Sequence, residues 1–159
     1  MSATPGVGRP APDFTLPGLQ LTDGQIVRGD YTLSAHRGRP LVLAFYPGDD
    51  TAVCTKQMCA YSSGLEQFTE LNASVWGISP QSVDSHEQFA RKHDLPLPLL
   101  ADVDRRVVGE YGIGLGSGLR RAVFVIDAEG IVRWSHVALL GLTYRDTAVL
   151  TRQLAALAA

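Results

Sequence analysis

Residues 41–61 read "LVLAFYPGDDTAVCTKQMCAY". The first six form an unbroken apolar run, which predicts a central strand covered on both faces. Pro47 ends it, because proline cannot continue a strand ladder. A polar loop follows. Cys54, Met58, Tyr61, Leu65, Phe68 and Leu71 then recur at three- and four-residue steps. That period predicts a helix over about residues 51–71 with one face on a sheet. Gly64 sits inside it and weakens it locally.

The flanking segments extend this strand–loop–helix unit. Residues 1–12, rich in Pro and Gly, form an entry arm. "DFTL" (13–16) reads as a strand, and Asp23-Gly24 in "LTDGQIV" is a hairpin turn dipeptide. "SVWGIS" (74–79) is a further strand. "SVDSHEQFARKHD" (82–94) is a helix with Ser82 or Asp84 as N-cap. Two prolines keep "LPLPLLAD" (95–102) extended. "DRRVVGEYG" (104–112) is a short helix, and "GIGLGSGLR" (112–120) a flexible loop. Residues 121–127 and 130–137 are strands joined by a tight turn. A C-terminal helix starts after Thr143 or Asp146 as its cap. The alternation predicts an α/β fold of one domain over residues 1–159: a mixed central β-sheet flanked by helices, with an N-terminal β-hairpin extension.

Bulk properties narrow the function. The 159 residues carry a formal net charge of -2, so nothing points to nucleic acid or an anionic membrane. No apolar run is long enough to span a bilayer. The N-terminal stretch lacks a basic start and an apolar core, so no secretory signal is expected and the expected compartment is cytoplasmic. Cysteines that pair in the cytosol are usually transient and catalytic.

Cys54 falls one turn inside the first long helix, just after the buried strand. Backbone N–H groups at a helix start lack partners, and the positive end of the dipole favours an anion. A thiol so placed loses its proton more readily, and the thiolate is the reactive form. Asp49 and Asp50 oppose this, since nearby negative charge disfavours a thiolate. Activation therefore calls for a cation from elsewhere in the chain, and Arg121 at the head of "RAVFVID" is the candidate. Thr51, three residues before the cysteine, can bring its hydroxyl to the sulfur and can also cap the helix. Pro47 can fix the loop and shield the sulfur from water.

Cys54 and Cys59 are the only two cysteines, five residues apart. That gap fits neither a dithiol redox pair nor a zinc knuckle. In a regular helix such residues rise by about 7.5 Å and turn by roughly 140°, which sets their Cα atoms about 8.6 Å apart. A disulfide needs about 4.4–6.8 Å. The pair therefore suits a switch: free thiols while the helix is folded, a bond once its first turns unwind. A thiolate that attacks a peroxide becomes a sulfenic acid, which condenses with a nearby thiol.

"PGDDTAVC" (47–54) matches the Pro-x3-Thr-x2-Cys pattern of peroxiredoxins. With "APDFTL", "LVLAFYP", "GISPQSVDSHEQFARKHDLPLPLLAD" and "RRAVFVIDAEGIVRW" in order, the chain resembles the bacterioferritin-comigratory, or Q-type, branch of that family. The resemblance implies a thioredoxin-like fold and an atypical 2-Cys, thioredoxin-dependent peroxidase acting on hydrogen peroxide and organic hydroperoxides. It implies Cys54 as the peroxidatic and Cys59 as the resolving cysteine, with Pro47, Thr51 and Arg121 completing the site. It implies no metal or haem cofactor, thioredoxin or a similar dithiol as reductant, and a monomer, with a dimer through a loop face near the site as the alternative. Three features depart from the common pattern. Ala52-Val53 stands where many relatives have Pro-Gly, Gln57 where many have an acidic residue, and the segment 21–39 is longer.

Other readings are weaker. "GIGLGSG" fails Gly-x-Gly-x2-Gly in every register and follows a helix instead of a strand. His36, His86, His93 and His136 are scattered, which argues against a metal site. No motif sets a histidine beside Cys54 for a Cys–His hydrolase, and no Cys-x2-Cys supports a plain disulfide oxidoreductase. A peroxide-sensing redox switch that signals to a partner with little turnover shares every sequence feature with the enzyme, and kinetics alone separates the two.

Overall fold

In the computed structural model, which describes residues 3–116, 118–138 and 144–157, the chain opens with strands β1 (Thr15–Thr22) and β2 (Gln25–Thr32). Asp23 and Gly24 turn between them at φ 50° and 78°, the two positive values a type I′ hairpin requires. A single 3-10 turn (Ser34–His36) leads to β3 (Leu41–Phe45). Helices α1 (Ala52–Ser63) and α2 (Leu65–Glu70) follow, then β4 (Ser74–Ser79), α3 (Val83–His93), β5 (Leu99–Ala101) and α4 (Arg106–Glu110). The chain continues through β6 (Gly114–Leu115), β7 (Gly118–Leu119), β8 (Ala122–Ile126), β9 (Val132–Val137) and α5 (Thr147–Leu157).

Seven strands form one mixed sheet in the order β2-β1-β5-β4-β3-β8-β9. β3, β4 and β5 run parallel, and the rest pair antiparallel. The N-terminal hairpin completes one edge of this sheet through β1 and β5. All five residues of β3 are buried. Their alternation splits them: Val42 and Ala44 face a core made with α1, α3 and α5, while Leu41, Leu43 and Phe45 face a second core with α4. That double burial is what the unbroken apolar run encodes. Ser82 caps α3 by accepting from the Ser85 N–H at 3.1 Å, and Asp146 accepts from the Val149 N–H at 3.0 Å. The other candidate cap, Thr143, lies outside the described residues.

Two expectations need correction. The single helix over residues 51–71 is two helices, broken at Gly64. Gly64 also admits a close tertiary contact: a Cβ there would lie 2.4 Å from Cγ2 of Thr147 at the start of α5. The loop over residues 112–120 contains a short hairpin, with Gly114 opposite Leu119 and Leu115 opposite Gly118. Ile113 and Leu119 are buried and anchor it.

Within the sheet, Gly18 is closely approached by the neighbouring strand. A Cβ there would sit 2.7 Å from the Leu99 carbonyl oxygen, which belongs to β5 and has little room to move. Gly18→Ala is expected to destabilise the fold by about 1–3 kcal/mol, the range for overpacking a close-packed interior. Urea unfolding of the two proteins measures this, as a lower midpoint at unchanged slope.

Candidate active site

The register of the sheet builds the site. Phe45, the last residue of β3, pairs with Ala122, the first of β8. One step further along each strand stand Tyr46 and Arg121, so antiparallel pairing alone delivers Arg121 to the joint between β3 and α1. Arg121 is 3% exposed and donates from Nη2 to Cys54 Sγ at 3.1 Å. Its Nη1 donates to Gln57 Oε1. A buried guanidinium needs acceptors, and the sulfur and the amide oxygen supply two. A charge-assisted bond of this kind is strongest when its acceptor is an anion.

Cys54 is fully buried and is the third residue of α1. Thr51 is the N-cap by backbone conformation, but its side chain makes no cap bond. Its hydroxyl instead donates to the Gly48 carbonyl at 3.3 Å. The first-turn amides of α1 therefore keep their outward-facing donor character without a side-chain acceptor. Cys59 lies on the same helix, half-buried, and both cysteines are free thiols. At regular helical spacing their Cα atoms stand about 8.6 Å apart, beyond disulfide reach.

The loop ahead of α1 is held by α3. Asp49 accepts from the Tyr46 hydroxyl and the Ser85 hydroxyl, both at 2.7 Å, and its Oδ2 lies 2.7 Å from His86 Nδ1. His86 is fully buried, and its Nε2 donates to the Leu100 carbonyl at 2.9 Å. Burial, then the Asp49 carboxylate, push the Tyr46 phenol well above its usual range, so it stays a neutral donor. Asp50 pairs with Lys92 Nζ at 2.6 Å and His93 Nε2 at 2.8 Å. These two hydrogen bonds, the lysine's first, hold its carboxyl below the usual carboxylate range. Donors from α3 thus meet both carboxylates, partners that the loop sequence alone did not reveal.

A model of the AhpC/TSA family matches residues 7–135. The chain belongs to the AhpC/TSA family. Peroxiredoxin Q of Oryza sativa subsp. japonica, a chloroplastic protein, is 39% identical over 132 residues, covering 81% of this chain and 58% of the rice protein. The chain thus spans less than two thirds of that relative's length. A Coxiella burnetii protein named for peroxiredoxin bcp is 35% identical over 145 residues, covering 85% of this chain and 91% of its own. These relatives place the chain in the Q-type, or bcp, branch of the peroxiredoxins. Among solved structures, reduced Plasmodium vivax 2-Cys peroxiredoxin superposes with a TM-score of 0.85 at 27% identity, covering 96% of each chain. Mycobacterium tuberculosis AhpC gives a TM-score of 0.87 at 24% identity, covering 98% of this chain and 94% of its own, a likeness of fold. The fold is therefore thioredoxin-like, as in these family members.

Within this AhpC/TSA site the structure brings Cys54 and Arg121 together and sets Thr51 and the half-buried Pro47 in the loop between β3 and α1. Cys59 stands apart from Cys54 along the helix. Gln57, Tyr61 and the Asp49–His86 pair were not among the expected site residues. Gln57 is three residues from Cys54 and Tyr61 four from Gln57, so helical spacing put all three on one face. His86 gave no such signal, because its partner is 37 residues away. Among the described residues, no three His, Cys, Asp or Glu side chains gather as a metal site would require.

The Asp50 carboxyl ties the loop to α3 only while ionised. Its folded-state titration lies below the unfolded one, so the stabilisation is present above the unfolded value and is lost as pH falls through the folded one. The urea midpoint of the native protein is expected to exceed that of Asp50→Asn near neutrality. The two midpoints should converge below about pH 4, where an unperturbed Asp carboxyl protonates.

Proposed function

We propose that this chain is a thiol-dependent peroxidase of the atypical 2-Cys kind, reducing hydrogen peroxide and organic hydroperoxides. The observation that carries the reading is the Arg121 guanidinium 3.1 Å from Cys54 Sγ at the head of α1. Buried positive charge at that distance stabilises an anionic sulfur and the charge that develops on a breaking O–O bond.

The Cys54 thiolate attacks the nearer peroxide oxygen, the O–O bond breaks, and the departing oxygen leaves as an alkoxide or hydroxide that takes up a proton. Sulfur loses two electrons to the peroxide and becomes a sulfenic acid, while the other product is an alcohol or water. Thr51, whose hydroxyl makes one bond at 3.3 Å, turns it toward the peroxide, and the first-turn amides of α1 add donors. Pro47 screens the sulfur from bulk water. The first turns of α1 then unwind, Cys59 sulfur attacks Cys54 sulfur, and water leaves as the disulfide forms. A dithiol such as thioredoxin reduces that bond by exchange through a mixed disulfide. The names of the relatives, all peroxiredoxins, support the assignment. A reducing compartment such as the cytoplasm, and a monomeric state, fit this cycle and are part of the proposal.

Turnover is measured by coupling peroxide loss to oxidation of NADPH through thioredoxin reductase and thioredoxin. Cys54→Ser is expected to abolish it. Cys59→Ser should allow one equivalent of peroxide to react and then stop. Arg121→Gln should slow the reaction of Cys54 with peroxide by about 10²–10³-fold, the range for losing one preorganised donor. Full turnover in Cys54→Ser would overturn the reading. A single turnover ending in a stable disulfide, even with thioredoxin present, would mark the chain as a peroxide sensor instead.

A further inference from the structure

The guanidinium that faces Cys54 is the start of a directed chain of hydrogen bonds. Arg121 Nη1 donates to Gln57 Oε1, Gln57 Nε2 donates to the Tyr61 hydroxyl at 3.2 Å, and that hydroxyl donates to the Arg145 carbonyl at 2.7 Å. Gln57 and Tyr61 are both fully buried. Chemistry fixes every direction. A guanidinium only donates, so the amide oxygen of Gln57 must face it and the amide nitrogen must face Tyr61. A hydroxyl has one hydrogen, so Tyr61, accepting from Gln57, has its own left for Arg145. Burial raises the Tyr61 phenol, which keeps that hydrogen in place.

The far end of the chain is the start of α5. Arg145 lies two residues before that helix, and Thr147, its first residue, donates to the Ala60 carbonyl at 3.2 Å. Gln57 lies between Cys54 and Cys59 in the sequence. A Cys54–Cys59 ring cannot close across an intact helix; unwinding the residues between the cysteines would take Gln57 from Arg121 and Tyr61 and fray the turn that holds the Tyr61 hydroxyl on the Arg145 carbonyl.

We propose that Gln57 is a positioning residue that holds the Arg121 guanidinium on the Cys54 sulfur, and that Tyr61 extends its hold to residues 144–147, so that disulfide formation in α1 loosens the docking of α5. A carboxylate at position 57 serves only the first purpose. It accepts from Arg121 but cannot donate to Tyr61, so the tyrosine hydrogen turns to it and the Arg145 carbonyl loses its donor. The amide is thus what joins the two ends. The proposal rests on the peroxidase reading only for its natural oxidant. Diamide, which takes two electrons and two protons from the two thiols, forms the same bond without peroxide chemistry.

Three variants test it in the reduced protein. Gln57→Leu should slow alkylation of Cys54 by iodoacetamide at pH 7 by about 10-fold or more, the scale of one lost charge-assisted hydrogen bond. Gln57→Glu, which keeps the acceptor for Arg121, should restore most of that reactivity. Gln57→Glu and Tyr61→Phe should each speed amide exchange in a peptide over residues 144–157 by about 3- to 10-fold, the scale of one neutral bond. The native protein oxidised with diamide should show the same acceleration, reversed by reduction. Equal alkylation of native and Gln57→Leu proteins would overturn the positioning role. Equal exchange in the reduced, oxidised and Tyr61→Phe forms would overturn the coupling. Should Gln57→Leu fail to fold, Gln57→Met, which also lacks an oxygen acceptor for Arg121, replaces it in the alkylation test: native alkylation there would overturn the positioning role, and native exchange in Gln57→Glu and Tyr61→Phe would overturn the coupling. Loss of peroxidase turnover with these exchange effects intact would reject the enzyme and keep the coupling.

Discussion

The contact between Arg121 and Cys54 joins residues 67 positions apart in the chain, and the rest of the site is arranged around it. It exists because β3 and β8 pair with Phe45 opposite Ala122. A slip of one residue in that register would send the Arg121 side chain to the opposite face of the sheet, toward the core of Phe45, Tyr111 and Phe124. An uncompensated guanidinium there would cost several kcal/mol. The unbroken apolar run of β8, buried at all five positions, therefore does two things at once. It packs the sheet and it aims the cation.

The sequence disclosed those parts of the structure whose causes are local. "LVLAFY" is buried on both faces because nothing in it tolerates water, and Ser82 caps α3 because its oxygen meets an amide three residues away. Cys54, Met58 and Tyr61 share a buried face because the helical period puts them there. What was not legible depends on partners far along the chain. Gly64 reads as a weak point in one helix, but nothing near it announces Thr147, whose side chain occupies the space a Cβ would need. Asp49 and Asp50 read as charges beside a cysteine, because nothing in the loop announces that α3 will supply Ser85, His86, Lys92 and His93. Gln57 stood out only as a departure from a pattern. Its purpose appears once Arg121 and Tyr61 are seen on either side of it.

In the proposed cycle the two cysteines place opposite demands on α1. Cys54 needs the helix folded, since only then does Arg121 face its sulfur; Cys59 needs it open. The composition of α1 is suited to that conflict. Val53, Thr55, Ser62 and Ser63 are weaker helix formers than Ala or Leu, and a 12-residue helix is marginal on its own. Its order is therefore supplied from outside, by the loop that α3 grips at one end and by Tyr61 and Ala60 bonded to the approach of α5 at the other. Opening the segment between the cysteines sacrifices few intrinsic helical preferences. It exposes Gln57 and Met58, both fully buried, and burying one Met side chain is worth about 1.5–3 kcal/mol. A penalty of that order is enough to keep the reduced form closed, and formation of a covalent S–S bond can overcome it. In the proposed cycle the helix is held by contacts that the reaction itself removes, and so the folded and open forms would each belong to one oxidation state.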